Sequence, residues 1–205
     1  MRRAMAAVVI LVLTSCGAPT GSVATKPEFN RWLAQDDSRA AIFARFEAML
    51  EHEGVGGVVP AYDLWLVDRL RMRCVAEPYA APPEGAWGDI VPTLRFIRDY
   101  VEPAIGDVRV VSAYRDVAFN ECVGGAPASA HRGFTAVDLI PTDRAVTRQR
   151  LIDALCGVHA REGPRFRVGL GIYESRRFHI DTHSYRGWGH DHHGVTFPCR
   201  AAARA

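Results

Sequence analysis

Apolar residues recur at helical spacing after position 37, where Ile42, Phe43, Phe46, Met49 and Leu50 fall on one stripe. Asp37 or Ser38 can cap the start of this helix and Gly54 can end it. Such a stripe is a core-facing surface rather than a site. Residues 59–72 read as a second, shorter apolar helix entered through Pro60. Residues 92–104 read as a third, with Pro92 in its first turn and Leu94, Ile97 and Val101 along one side. Between these two, the Pro-rich stretch 78–87 reads as an extended wrap over the surface. The period then changes. Residues 108–112 are a β-rich run after the turn at Gly106-Asp107, a short helix can follow Asp116, and 136–140 is an apolar strand interrupted by Asp138. An amphipathic helix over 147–159 turns Leu151, Ile152, Leu155 and Val158 inward, which leaves His159, like His52, as a surface residue near a helix end. Two alternating runs, 167–173 and 177–182, are separated by Glu174-Ser175-Arg176 and read as a β-hairpin. Helices followed by antiparallel strands predict an α+β domain, a small mainly antiparallel sheet flanked by helices.

With 205 residues and 48% hydrophobic content, the chain can bury one sizeable core. A net charge of +2 gives no bulk electrostatic case for a nucleic-acid partner. Arg2 and Arg3 precede an apolar run, 4–13, that is too short to span a bilayer. Leu13-Thr14-Ser15-Cys16 then reads as a bacterial lipobox, with Cys16 lipidated and becoming the mature N-terminus. The expected organisation is a signal peptide over 1–15, a flexible tether over 16–27, an N-terminal helical part over 28–90 and a core over 91–205. The chain would be periplasmic and touch the membrane through its lipid anchor alone. Gly17 after the cysteine resembles the sorting signal for the outer membrane. Four further cysteines, Cys74, Cys122, Cys156 and Cys199, suggest two disulfides with three possible connectivities. Pairing Cys156 with Cys199 would tie down the tail and leave Cys74 for Cys122.

The chemistry centres on His131 and Asp138, seven residues apart. A carboxylate on a buried strand is costly unless paired. His with Asp is a ligand combination that zinc accepts, and a catalytic zinc takes three protein ligands with a fourth position open to water. His179, in Phe178-His179-Ile180-Asp181, supplies the third. One Zn2+ ion is therefore expected on His131, Asp138 and His179. Asp181, two residues beyond His179, shares its strand face and is the preferred general base, with Glu174 second. Arg115 can hold a substrate carboxylate or stabilise an oxyanion. Ser129 can cap its loop or bind substrate, and Trp188 can wall a groove. The tail carries five of the eight histidines from 179 onward, and His190 could line the cleft.

Ser129-x-His131-x-Gly133-x-x-Ala136-x-Asp138 resembles the first zinc-ligand motif of the D-alanyl-D-alanine carboxypeptidases of the VanX/VanY type, metallopeptidase family fifteen of the LAS superfamily. The glycine falls two residues after the His rather than three, so Phe134 takes the usual glycine place. Ser112-Ala113-Tyr114-Arg115 is similar to that family's S-G-Y-R segment. Gly169-x-Gly171-Ile172-Tyr173 with Phe178-His179-Ile180-Asp181 resembles the closing hairpin of the branch similar to the Streptomyces zinc DD-peptidase. The resemblance runs from about 110 to 188. It implies a hedgehog/DD-peptidase-like zinc domain, with His131, Asp138 and His179 as ligands. It also implies Arg115, with Tyr114 beside it, at the substrate, and cleavage of peptidoglycan peptides near D-alanine. Family members place a catalytic Glu or Asp three residues before the last zinc His, or a second His two before it; here these positions are Arg176 and Arg177. The alternative reading is a zinc-containing, catalytically inactive peptidoglycan-binding lipoprotein.

Overall fold

The computed structural model describes residues 25–68, 71–74 and 76–202. Cys16, the signal peptide and most of the tether lie outside them. The end of the tether is helical. Thr25 and Glu28 form a capping box that starts α1 (Lys26–Leu33), and Pro27 occupies its first turn. Asp36, rather than Asp37 or Ser38, caps α2 (Asp37–His52), its side chain accepting from the Ser38 amide. The expected helix over 59–72 does not form. A single 3-10 turn (Ala61–Trp65) follows Pro60, and the chain then extends, with Val67 N–H donating to Pro78 C=O and Leu66 bridging to Tyr79. Only then does the short α3 (Arg71–Cys74) begin. Phe29, Trp32, Phe43, Phe46, Trp65 and Tyr79 from these segments pack ring on ring into one buried aromatic cluster.

A 3-10 turn (Glu84–Ile90) leads into a helical rod of α4 (Val91–Phe96), a π turn (Ile97–Val101) and α5 (Glu102–Ile105). The sheet follows: β1 (Val108–Ser112), α6 (Val117–Cys122) capped by Asp116, β2 (Ala136–Pro141), α7 (Arg148–Phe166), β3 (Gly169–Ile172), β4 (Phe178–Asp181) and β5 (Arg186–Trp188). α8 (Cys199–Ala202) ends the described chain. Strand order is β1-β2-β4-β3-β5, antiparallel throughout except for β3 with β5. The fold is α+β. The short parallel edge strand β5 is not visible in the hydrophobic pattern, because three residues show no period.

Side chains alternate across this sheet. Val137, Leu139, Leu170, Ile172, Phe178 and Ile180 are buried in the hydrophobic core. Asp138, His179 and Asp181 occupy the intervening positions, on the opposite face. α7 runs past Pro164 to Phe166, a full two turns beyond the expected end. His159 therefore lies inside the helix rather than at the surface. It is 5% exposed, hydrogen-bonded to Val168 C=O at 3.0 Å and stacked on Tyr185. Disulfides join Cys74 to Cys122 and Cys156 to Cys199. Among the described residues no helix is long and apolar enough to cross a membrane.

Asp63, in the first 3-10 turn, is 2% exposed, and its Oδ1 has no hydrogen-bond partner among the described residues. Burial pushes its carboxyl up to about 7, with Arg109 pulling weakly the other way. A carboxyl raised on folding binds more protons in the native state, so its contribution to stability declines as pH rises from the ordinary carboxylate range towards 7. Asp63→Asn should therefore stabilise the fold more at pH 8 than at pH 4.5, by about 1–3 kcal/mol. Urea midpoints of both proteins at the two pH values check this.

Candidate functional site

The site is assembled by one row of residues running across all five strands. Ser112 on β1 pairs with Asp138 on β2, Asp138 with His179 on β4, His179 with Gly171 on β3, and Gly171 with Trp188 on β5. Register alone therefore places Asp138 and His179 side by side. His131 comes from the turn before β2. That turn closes with Thr135 N–H to Ala130 C=O, and it passes through Phe134 at φ +53°, a left-handed conformation that usually falls to glycine. Phe134 occupies the place where the related motif has glycine. The aromatic cluster holds it there: its ring is fully buried against Phe46 and Tyr114.

His131 Nε2, Asp138 Oδ1 and His179 Nδ1 lie within 4.8 Å of one another, and all three side chains are buried. The other ring nitrogen of each histidine has an acceptor. His131 Nδ1 sits 2.6 Å from Ala113 C=O, and His179 Nε2 sits 2.8 Å from Asp181 Oδ2. Those bonds fix the tautomers, so His131 Nε2 and His179 Nδ1 face each other at 3.1 Å with their lone pairs converging beside Asp138 Oδ1. Two lone pairs and a carboxylate oxygen aimed at one point require a cation between them. The N, N, O donor set is one that zinc takes. Without a metal, protons must serve. Burial keeps His131 below its ordinary value, with Arg115 adding to the effect. At His179 burial acts in the same sense but is outweighed by hydrogen bonds to Asp138 and Asp181, and the imidazole is raised.

Asp138 divides its two oxygens. Oδ1 faces the imidazoles, while Oδ2 accepts from Arg115 at 3.1 Å and from Arg177. Burial opposes its charge, but His131, His179 and Arg177 together hold the carboxyl well below its usual range. Arg115 also reaches Ser112 Oγ, and Arg177 also pairs with the buried Asp68. Arg115 thus pairs with the ligand carboxylate itself rather than with its chain neighbours Asp116 or Glu121. Sequence reasoning gave Asp68 no role and met Arg177 only as the place where the related motif carries a second His. The signal for Asp68 was an acid closing the apolar run 64–67; for Arg177 it was the facing rule, since it lies two residues before His179.

Asp181, expected as the general base, lies behind His179 instead. Its carboxylate accepts from His179, from both terminal nitrogens of Arg186 and from the His183 amide, and these partners hold it ionised against the cost of burial. This is the placement of a group that orients a ligand. Arg186 reaches it from the edge strand because β3 has no side chain in between. A Cβ on Gly169 would meet Asp181 Oδ2 at 2.3 Å, and one on Gly171 would meet the Trp188 indole at 2.5 Å. Trp188 crosses that gap to pack on the His179 ring, centroids 4.9 Å apart. β5 is itself backed by Phe197, whose ring leaves no room for a Cβ on Gly187, and Cys199 beyond it is bonded to α7.

The trio opens on a cleft of about 900 Å³ lined by, among others, Arg115, Ser129, Glu174, Arg177, His190 and Trp188. Tyr114 does not line it; its ring stands edge-on to Phe134. Arg176, at the position where several members of the resembled family carry an acid, points away and donates to the carbonyls of Asp143 and Val146.

Two substitutions test this arrangement. Asp181→Asn should weaken zinc affinity about 10- to 100-fold, measured by chelator competition, because the orienting acceptor loses its charge. Gly171→Ala should displace Trp188, moving its indole N–H resonance in NMR spectra and weakening zinc binding with all three ligands intact.

The family model described as Peptidase M15 matches residues 71–181, which include β1 to β4 and all three members of the trio. No curated protein and no solved structure matches the chain. With more than half of its length matched, the chain belongs to the M15 peptidases, a family of zinc enzymes.

Proposed function

We propose that this protein is a zinc metallopeptidase that cleaves peptidoglycan stem peptides or their cross-links next to D-alanine. The observation that carries the reading is the buried His131–Asp138–His179 trio, with converging lone pairs, at the floor of a cleft walled by Arg115 and Arg177. Zinc on these three donors would supply a Lewis acid for a carbonyl oxygen and lower the pKa of water that it binds.

The chain's own groups do the rest. Arg115 and Arg177 present guanidinium groups to the cleft beside Asp138, where a substrate carboxylate or carbonyl can dock. Trp188 covers His179 and excludes water from one side. Among the described residues the carboxylates that line the cleft are Asp68, Asp138 and Glu174, of which the first two are ion-paired with arginines. Glu174 is therefore the proton acceptor for the attacking water. The chain is exported and lipid-anchored at Cys16 on this reading, which two disulfides and the lipobox support.

Zinc-loaded protein given a pentapeptide muropeptide and a cross-linked dimer should release D-alanine from the first, split the second, or both; the product distinguishes carboxypeptidase from endopeptidase. Glu174→Gln should lower kcat about 10²- to 10⁴-fold with zinc still bound. The second reading, a binding lipoprotein without catalysis, is favoured by Arg176 standing where several members of the resembled family carry an acid. Zinc-dependent muropeptide binding with no turnover would establish it.

A further inference from the structure

Tyr173 directly follows β3, two residues beyond Gly171, and several contacts hold it. Its N–H donates to Arg177 C=O at 3.1 Å, and its own carbonyl accepts from Arg148. The Arg177 guanidinium lies over its ring, 5.6 Å from the centroid. The His192 ring stands edge-on to it at 5.6 Å, from a backbone held left-handed at φ +64°. Its hydroxyl lies near the Trp188 indole N–H, a group that can only donate and so leaves the phenol its own proton to give. No acceptor for that proton is seen among the described residues, and Tyr173 lines the cleft together with the trio.

The neighbouring guanidinium groups serve carboxylates: Arg115 and Arg177 both bond to Asp138 Oδ2, and Arg186 is held by Asp181 and Ser184. Arg177 keeps one buried N–H, at Nε, without a partner among the described residues. A neutral donor held rigid in a partly dry cleft suits an oxygen that gains charge only during reaction, because it needs no reorganisation when the charge appears. Burial and the nearby Asp138 carboxylate raise the phenol above its ordinary value, so it remains a donor throughout the physiological range.

We propose that Tyr173 is a catalytic residue whose hydroxyl donates a hydrogen bond to the oxyanion formed when water adds to the scissile carbonyl. No proton is transferred in this role; the hydrogen bond shortens as charge builds on the oxygen and relaxes as the C–N bond breaks. The inference rests on the peptidase reading above.

Tyr173→Phe removes one oxygen and keeps the ring against Arg177 and His192. In the zinc-loaded full chain it should lower kcat on muropeptide about 10²-fold while KM changes less than about threefold. Affinity for a phosphinate analogue of D-alanyl-D-alanine should fall in proportion to kcat, and affinities for zinc and for uncleaved stem peptide should stay at wild-type level. Turnover within about twofold of wild type would overturn the inference, since a single lost oxyanion donor costs far more than that. So would equal losses of phosphinate and stem-peptide affinity, which mark a packing role. A wild type that cleaves no muropeptide removes the peptidase reading and this inference with it; active wild type with an unimpaired variant removes this inference alone.

Discussion

A single buried carboxylate, fully enclosed on β2, sets the terms for the rest of the molecule. An isolated ionised group in that position would cost many kcal/mol. Asp138 escapes this cost by giving each oxygen a separate set of partners, imidazole nitrogens on one side and guanidinium groups on the other. Those partners must themselves be buried or nearly so, and each brings its own requirement: Ala113 C=O for His131, Asp181 for His179, Asp68 for Arg177. The network extends outward until it reaches Arg186 and the cleft surface. Removing one member would strand charges in low dielectric, which is far costlier than never having placed them there.

The layering separates two tasks. The inner groups arrange lone pairs and hold charge; the outer ones, at the cleft, meet solvent and substrate. Asp181 illustrates the difference. On strand geometry it faces the site, yet the same geometry puts it at the back of His179, where its bond to the ring nitrogen decides which lone pair points inward. Family membership supplies the chemistry in outline, but a fold does not by itself specify a reaction. What supports hydrolysis here is the coincidence of an aimed donor set with a walled opening.

Much of this was legible in the sequence because it is local. His131 to Asp138 is one turn plus half a strand, and the hairpin bearing His179 follows from its alternation, so the meeting of these three side chains and an α+β sheet could be read directly. What escaped depends on distant contacts. Phe134 adopts a conformation its side chain disfavours, because rings from α2 and the segment after β1 enclose it. The apolar run after Pro60 looked helical, but its backbone finds better partners in Pro78 and Tyr79. His159 lay near an expected helix end until the helix continued past a proline. Arg186, on a strand of three residues with no period of its own, gave no signal of any kind.

The paired glycines of β3 have a consequence for where this protein's identity is stored. All three members of the candidate metal trio fall inside the stretch matched to its family, which stops at Asp181, yet the two residues that press on the far ends of that assembly arrive later, on β5. A fragment cut at the family boundary would keep all three donors and lose their backing. The segment 186–199 is the scaffold's keystone, laid after the matched stretch and bolted to α7 by sulfur.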